Sequence, residues 1–436
     1  MTALTRRWRA AALLAGLTLA LAACGGGAET PSAQPGGGDP NQPVTLTWWH
    51  NGTADPGKSY YQSIATAYHQ AHPNVTIKVQ PLQNEQFNTK IPVALQSNSP
   101  PDVFQQWGGG QLAEQVEAGK VQDLSEAVKP WIGSLGPAVG NWQVDGRTYG
   151  VPYSFGIVGF WYDKALFQKA GIASPPATWE ELLGAVQKLK AAGVAAPIAI
   201  GSKDKWPDAF YWDYLALRLC SQEVMQQSAK EFNFDDPCWA RAGEMVKQLI
   251  DAQPFQKGFL ATTAQQGAGS SAGLLANGKA AMELQGHWNP GVMQSLTPDK
   301  KPPKGLGWFP FPSVAGGAGK PDAALGGGDG FSCSFKAPPA CADFLKFLVS
   351  VENQRRFGEL GIGLPLAAGS EDGVADPNLK ALLAFRNKAS FIQTYLDVAY
   401  GSSVGQALND AIAQQFAGQL DAAGVVDAVK EAAASR

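Results

Sequence analysis

Charge is scarce in this chain of 436 residues. Asp, Glu, Lys and Arg make up 16 % of it, and the formal net charge is −3. No basic stripe offers counter-charge to a nucleic acid, and no acidic run invites cations or basic partners. Histidine is rarer still: four, at positions 50, 69, 72 and 287, with no metal-ligand periodicity. Zinc-type Cys/His spacing is absent as well. The chain lacks a Gly-x-Ser-x-Gly elbow, a P-loop and a His-Glu-x-x-His pair. Its carboxylates form no recognisable acid–base pair, although a glycosidase needs just two at a set spacing. The composition therefore points to a binder rather than an enzyme, one that requires neither a cofactor nor a metal. After residue 23 no apolar run approaches the roughly 18 residues that a membrane-spanning helix needs.

The N-terminus is built differently. Arg6, Arg7 and Arg9 precede an apolar stretch from Ala10 to Ala22. That length suits a signal peptide and is short for a bilayer span. Leu21-Ala22-Ala23-Cys24 follows, and the pattern resembles a bacterial lipobox. The resemblance implies cleavage before Cys24, a diacylglycerol on its thiol, and a stable membrane anchor from two or more acyl chains. Residues 24–43 are Gly, Pro, Ser, Ala and polar residues with almost nothing to bury. They read as a flexible tether with a reach of about 25 Å.

Four cysteines remain: Cys220, Cys238, Cys333 and Cys341. Outside the cytoplasm an even number suggests disulfides. Among the possible connectivities, the local pairs Cys220–Cys238 and Cys333–Cys341 are expected, because each bridges one helix–loop segment.

The remaining length is too great for one compact core and suggests two domains. A β-rich run at 44–49 leads into Tyr61, Ile64, Ala65 and Tyr68, which have helical spacing. A strand at 75–79, a helix near 84–96 and a strand at 102–106 follow, the rhythm of a parallel α/β sheet. Thr178-Trp179-Glu180-Glu181 has the form of a capping box, with a helix after it. Residues 197–200 and 280–284 read as strands, and 208–220, 237–251 and 341–360 as helices. Val404, Leu408, Ile412 and Phe416 mark a C-terminal helix. The Gly-rich residues 312–330 read as a loop or hinge. No internal repeat is visible.

Tryptophan is the excess, with 13 residues. Several sit beside Gly, Asn, His or Pro at the ends of expected strands, where open α/β sheets bind ligands. The clusters are Trp48-Trp49-His50-Asn51, Gln105-Gln106-Trp107-Gly108, Pro152-Tyr153-Ser154, Lys205-Trp206-Pro207 and Gln285-Gly286-His287-Trp288-Asn289. A flat ring presents an apolar face to the C–H face of a sugar, and neighbouring amides reach its hydroxyls. Burying one Trp removes ~150–250 Å² from water, ~4–6 kcal/mol as an upper bound before binding costs. Trp288 and Tyr153 lead the expected contacts. Trp107 and Trp206 are balanced between binding and packing, and at least one of Trp48 and Trp49 is expected in the core. The low charge fits a neutral ligand.

Longer motifs carry a resemblance. Val151-Pro152-Tyr153, Phe160-Trp161-Tyr162-Asp163-Lys164-Ala165-Leu166-Phe167, Pro175-Pro176-Ala177-Thr178-Trp179-Glu180-Glu181-Leu182, Pro101-Asp102-Val103-Phe104 and Gly278-Lys279-Ala280-Ala281-Met282 resemble family 1 extracellular solute-binding proteins of ABC transporters, the maltose-binding-protein-like family. The resemblance implies a bilobal periplasmic-binding-protein-like α/β fold. Two discontinuous lobes, 44–151 with 328–366 and 152–327 with 367–436, would enclose a ligand cleft, with crossings near 151–156, 312–328 and 366–376. It implies a monomer that closes on an oligosaccharide and presents it to membrane permease subunits served by a cytoplasmic ATPase. Tyr153, Trp288 and Tyr400 match its stacking positions, and Asn51 its first-strand loop. His50, Gln106, His287 and Asp329 complete the expected contacts. The charged residues that bind maltose after the Pro-Asp strand are replaced by Trp107-Gly108-Gly109. The aromatic segments look most like actinobacterial oligosaccharide-binding lipoproteins. Xylobiose or xylo-oligosaccharides are the first expectation, with cello-, chito- and malto-oligosaccharides as rivals. An exported glycosidase and a sensory surface lipoprotein are the readings from other classes.

Overall fold

The computed structural model describes residues 42–436; the lipobox, with Cys24, lies outside them. Among the described residues twelve strands occur in chain order: β1 (Val44–His50), β2 (Val75–Pro81), β3 (Val103–Gln106), β4 (Gln143–Val144), β5 (Arg147–Thr148), β6 (Val151–Ile157), β7 (Gly159–Asp163), β8 (Ile198–Ala199), β9 (Met282–Gln285), β10 (Leu306–Phe309), β11 (Ala324–Cys333) and β12 (Ile392–Thr394). One sheet has the order β12-β11-β3-β1-β2, with β6 pairing the other edge of β11. A second has the order β10-β7-β9-β8, and β4–β5 form a small ribbon.

The first sheet begins as the sequence predicts. β1 runs parallel to both β2 and β3, joined by crossover helices. The helix Gly57–Ala71 buries Tyr60, Tyr61, Ile64, Ala65 and Tyr68, one stripe at helical spacing. Trp48 is fully buried against Phe331 and Phe344, whereas Trp49 is partly exposed. The core around Trp48 draws on residues 46–153 and again on 331–367. A second core draws on residues 158–325 and 395–429. Its centre is the helix Trp206–Leu219, in which every residue from Pro207 onward is buried.

The chain passes between the sheets at Val158, where β6 gives way to β7. It returns between β10 and β11 along a segment held by Arg218. The buried guanidinium donates to the carbonyls of Pro312 (3.1 Å), Phe311 (3.0 Å) and Ala323 (2.8 Å), and these bonds offset the cost of burying its charge. The capping box forms around Thr178: its hydroxyl accepts from the Glu181 N–H at 3.2 Å, and Glu181 reaches back to the Ala177 N–H at 2.7 Å.

One expectation is corrected. Residues 324–330 are not a loop but most of β11, which pairs with β6, β3 and β12. The glycines are there for close approach. A Cβ at Gly328 would strike the Ser154 carbonyl, and one at Gly327 would strike the ring of Tyr395.

Cys220 pairs with Cys238, and Cys333 with Cys341. The first bond ties the end of the central helix to the start of the helix Cys238–Asp251. It closes a loop with a sequence separation of 18, for which chain entropy gives about 3 kcal/mol. Replacing both Cys220 and Cys238 by Ser is expected to lower the unfolding free energy by about that amount in urea titration. An unchanged midpoint would show that the bond constrains nothing.

Candidate functional site

A cavity of about 750 Å³ opens between the two sheets, within the size range of small-molecule sites. Both walls carry amides and rings, in different proportions: Tyr61 and Phe357 also line the first-sheet side, and Gln265, Gln266 and Gln294 the opposite side. Asn51, Gln83, Asn84, Asn88 and Gln111 line the side of the first sheet, with Trp107 among them. Trp206, Phe210, Trp288 and Tyr395 line the opposite side. Gly328 and Asp329 of β11 lie at the base.

The amide wall follows from strand ends and a helix start. Asn51 follows β1, and its Nδ2 donates to Asn84 Oδ1 (3.3 Å) at the start of the helix Asn84–Gln96. Trp107 leaves β3 and is turned by Gly108, whose φ of 78° favours glycine. A Cβ on Gly108 would also collide with the Asn141 carbonyl. The indole N–H of Trp107 donates to Asp329 Oδ1 (3.0 Å), which also accepts from Gln105 Nε2 (2.6 Å). Gln105 Oε1 accepts from the Asn51 N–H (2.8 Å). One carboxylate thus fixes both the ring and the loop beside it. Burial pushes the Asp329 carboxyl up to about 6, against the pull of these two hydrogen bonds.

The aromatic wall is a set of edge-to-face rings. Trp206 and Trp288 lie 6.4 Å apart at 66°, and Trp288 and Tyr395 lie 6.3 Å apart at 80°. Trp288 follows β9 and precedes the helix Asn289–Leu296. Its ring lies over Gly286, where a Cβ would strike it. The indole nitrogens of Trp206 and Trp288 and the hydroxyl of Tyr395 are buried without a hydrogen-bond partner among the described residues. Such donors demand one, and all three belong to side chains of the cavity wall.

Five expected contacts lie elsewhere. Tyr153 is fully buried among Tyr61, Phe331 and Phe357 in the first core. Tyr400 is buried in the second core, its hydroxyl 2.9 Å from Ser228 Oγ. His50 accepts from the Gly52 N–H through Nδ1 (3.0 Å), and burial holds its pKa down to about 3. Gln106 serves the turn, accepting from the Gly108 N–H (2.9 Å) and donating to Gln115 (2.6 Å). His287 packs on Gly156 and donates through Nε2 to Ser154 Oγ (2.9 Å), which donates in turn to the Leu364 carbonyl (3.0 Å). Burial lowers its pKa to about 3 and keeps it neutral. None of these five side chains lines the cavity. Asn51, Trp107, Trp206, Trp288 and Asp329 line the cavity.

Sequence reading missed Tyr395, Phe210, Asp397 and the amides of Gln83, Asn84 and Asn88. Tyr395 follows the short strand β12, so the strand-end rule applied to the other aromatics also fits it.

A protein-family model described as bacterial extracellular solute-binding protein matches residues 51–355. The chain belongs to that family. An uncharacterized ABC transporter extracellular-binding protein of Pyrococcus horikoshii is 27 % identical over 94 % of this chain and 92 % of its own. The diacetylchitobiose binding protein of Streptomyces coelicolor is 25 % identical over 79 % of this chain and 78 % of its own. A solved structure from work on xylan utilization by the thermophilic bacterium Caldanaerobius polysaccharolyticus superimposes with a TM-score of 0.81. It is 26 % identical and covers 89 % of this chain and 99 % of that one. The solute-binding protein is therefore bilobal and α/β, and its family binds solutes for ABC transporters rather than transforming them. Among the described residues no helix is long and apolar enough to cross a membrane.

The raised carboxyl of Asp329 has a testable sign. The folded protein keeps this proton up to about pH 6, whereas an unfolded aspartate releases it near ~4. The native state binds more protons in that window, so the group's contribution to stability falls as pH rises through it. The fluorescence difference between the protein and Trp107→Phe is expected to titrate with a midpoint near pH 6, and Asp329→Asn to abolish the transition. A signal that is flat from pH 4.5 to 7.5 would contradict the coupling.

Proposed function

We propose that this solute-binding protein captures a neutral oligosaccharide, xylo-oligosaccharides first, and delivers it to the permease of an ABC importer. The observation that carries the reading is one cleft in which a ring-rich wall faces an amide-rich one. Rings on one side offer apolar faces to the C–H faces of sugar rings. Amides on the other offer donors and acceptors to hydroxyls. The Caldanaerobius structure favours xylan fragments, and the Streptomyces relative makes chito-oligosaccharides the second reading.

In this reading the lobes are residues 44–151 with 328–366 and 152–327 with 367–436, and they close over the sugar. The protein acts as a monomer on the outer face of the membrane, held there by acylated Cys24. Cys24→Ser is expected to leave the precursor unprocessed or release the protein into the medium. Lipid labelling of that variant at the normal level would refute the anchor.

The reading is tested by thermal shift and calorimetry of residues 42–436 with xylobiose, xylotriose, cellobiose, chitobiose and maltose. A sugar that binds the native state raises the melting temperature by mass action. Trp288→Ala is expected to weaken binding by roughly 30-fold or more with little change in the melting of the free protein. Tyr153→Ala, in contrast, is expected to cost the free protein ~3–5 kcal/mol. No shift with any sugar would overturn the reading.

A further inference from the structure

Two half-buried carboxylates line the cleft of a chain otherwise poor in charge, apart from the exposed Asp55 at its edge. Asp329 and Asp397 both line the cavity, on β11 and on the helix Leu396–Ala399. Their protein partners are neutral. Asp329 Oδ1 accepts from Trp107 and Gln105, and Asp397 Oδ2 accepts from Asn409 Nδ2 at 2.9 Å. Among the described residues neither takes part in an ion pair. Burial raises the pKa of each, the signature of charge desolvated without a counter-ion. The cations on the cavity lining, Lys58 and Lys300, are solvent-exposed, and Lys300 is engaged with the Ser295 carbonyl at 2.6 Å.

We propose that Asp329 and Asp397 set a charge filter within this cleft: they accept hydroxyls of a neutral oligosaccharide and reject one bearing a uronic acid on a ring seated at the base. The inference rests on the oligosaccharide reading and narrows it to unsubstituted or neutrally substituted chains. A hydroxyl donates to a carboxylate in a charge-assisted bond, stronger than one to a neutral acceptor. A uronate carboxylate has no proton to donate at neutral pH, and it brings a third negative charge into a site without a buried cation. With ~6–8 Å between like charges and an intermediate effective dielectric, repulsion weakens binding on the order of tenfold to 100-fold. Water cannot solvate the added charge once the cleft is filled, so desolvation acts in the same direction.

The test compares three forms of one sugar by calorimetry at pH 7.5: cellobiose, cellobiouronic acid and the uronic acid converted to its primary amide, with xylotriose, xylotriose bearing a glucuronic acid branch and the primary amide of that branched acid in parallel. The amide matches the acid in shape and lacks its charge. In whichever series the neutral parent binds, the acid is expected to bind at least about tenfold more weakly than the amide. Asp329→Asn and Asp397→Asn are each expected to narrow that gap. An acid and amide that bind equally, or a gap that neither variant changes, would overturn the filter while leaving oligosaccharide binding intact. Failure of both neutral parents and of the wider sugar panel would overturn the oligosaccharide reading and the filter with it. The acid–amide comparison needs the unaltered protein alone, so it decides the question even where a variant fails to fold.

Discussion

The close approach of two backbones, β11 against β6, governs the rest of the cleft. Side chains are missing from Gly326, Gly327 and Gly328, so β6 can press on one side while Tyr395 settles over Gly327. The next residue with a side chain is Asp329, where the register shifts against β6. Its carboxylate emerges at the cavity and fixes Trp107 and Gln105. A single methyl group in the glycine run would separate the strands, displace Tyr395 and take the anchor of the opposite wall with it. The strand is thus a spacer whose emptiness sets where two aromatic residues stand.

The same place is where the chain's passes between sheets converge. Ser154 lies on the outgoing strand β6, pairs with Asp329 on the returning strand β11, and bridges to Pro365 on a later pass. Its hydroxyl donates to Leu364 and accepts from His287, the neighbour of Trp288. These bonds are buried, and buried polar groups that satisfy one another fix geometry more firmly than apolar contacts do. Cleft residues on both walls are therefore one or two bonds from the crossing strands. His287 does its work behind the cleft wall, by fixing the segment that carries Trp288.

The α/β rhythm was legible because helices and strands bury different periods. Tyr61, Ile64 and Tyr68 announce one helix, and Thr178 with Glu181 announces the cap of another. The glycine run was not legible as a strand, since its pairing depends on partners distant in sequence. The walls were half legible. Strand-end aromatics locate Trp107 and Trp288, but a strand inside a sheet shows one face to a core and the other to a cleft, and sequence does not say which. Tyr153 falls on the core side. Tyr400 falls in the second core while Tyr395, five residues earlier, stands at the cavity, because the helix between them turns one ring inward and leaves the other at the cleft. The amides of the helix Asn84–Gln96 gave no warning, because Asn and Gln at a helix start usually face water.

The central claim is that one sugar is held by both walls at once. Hydrogen–deuterium exchange measured with and without the sugar that gives the largest thermal shift tests it most directly. The account predicts simultaneous protection of the segments around Asn51, Trp107, Trp288 and Tyr395, together with the crossing strands β6 and β11. Protection confined to one wall, or found on a surface away from the cavity, would contradict it.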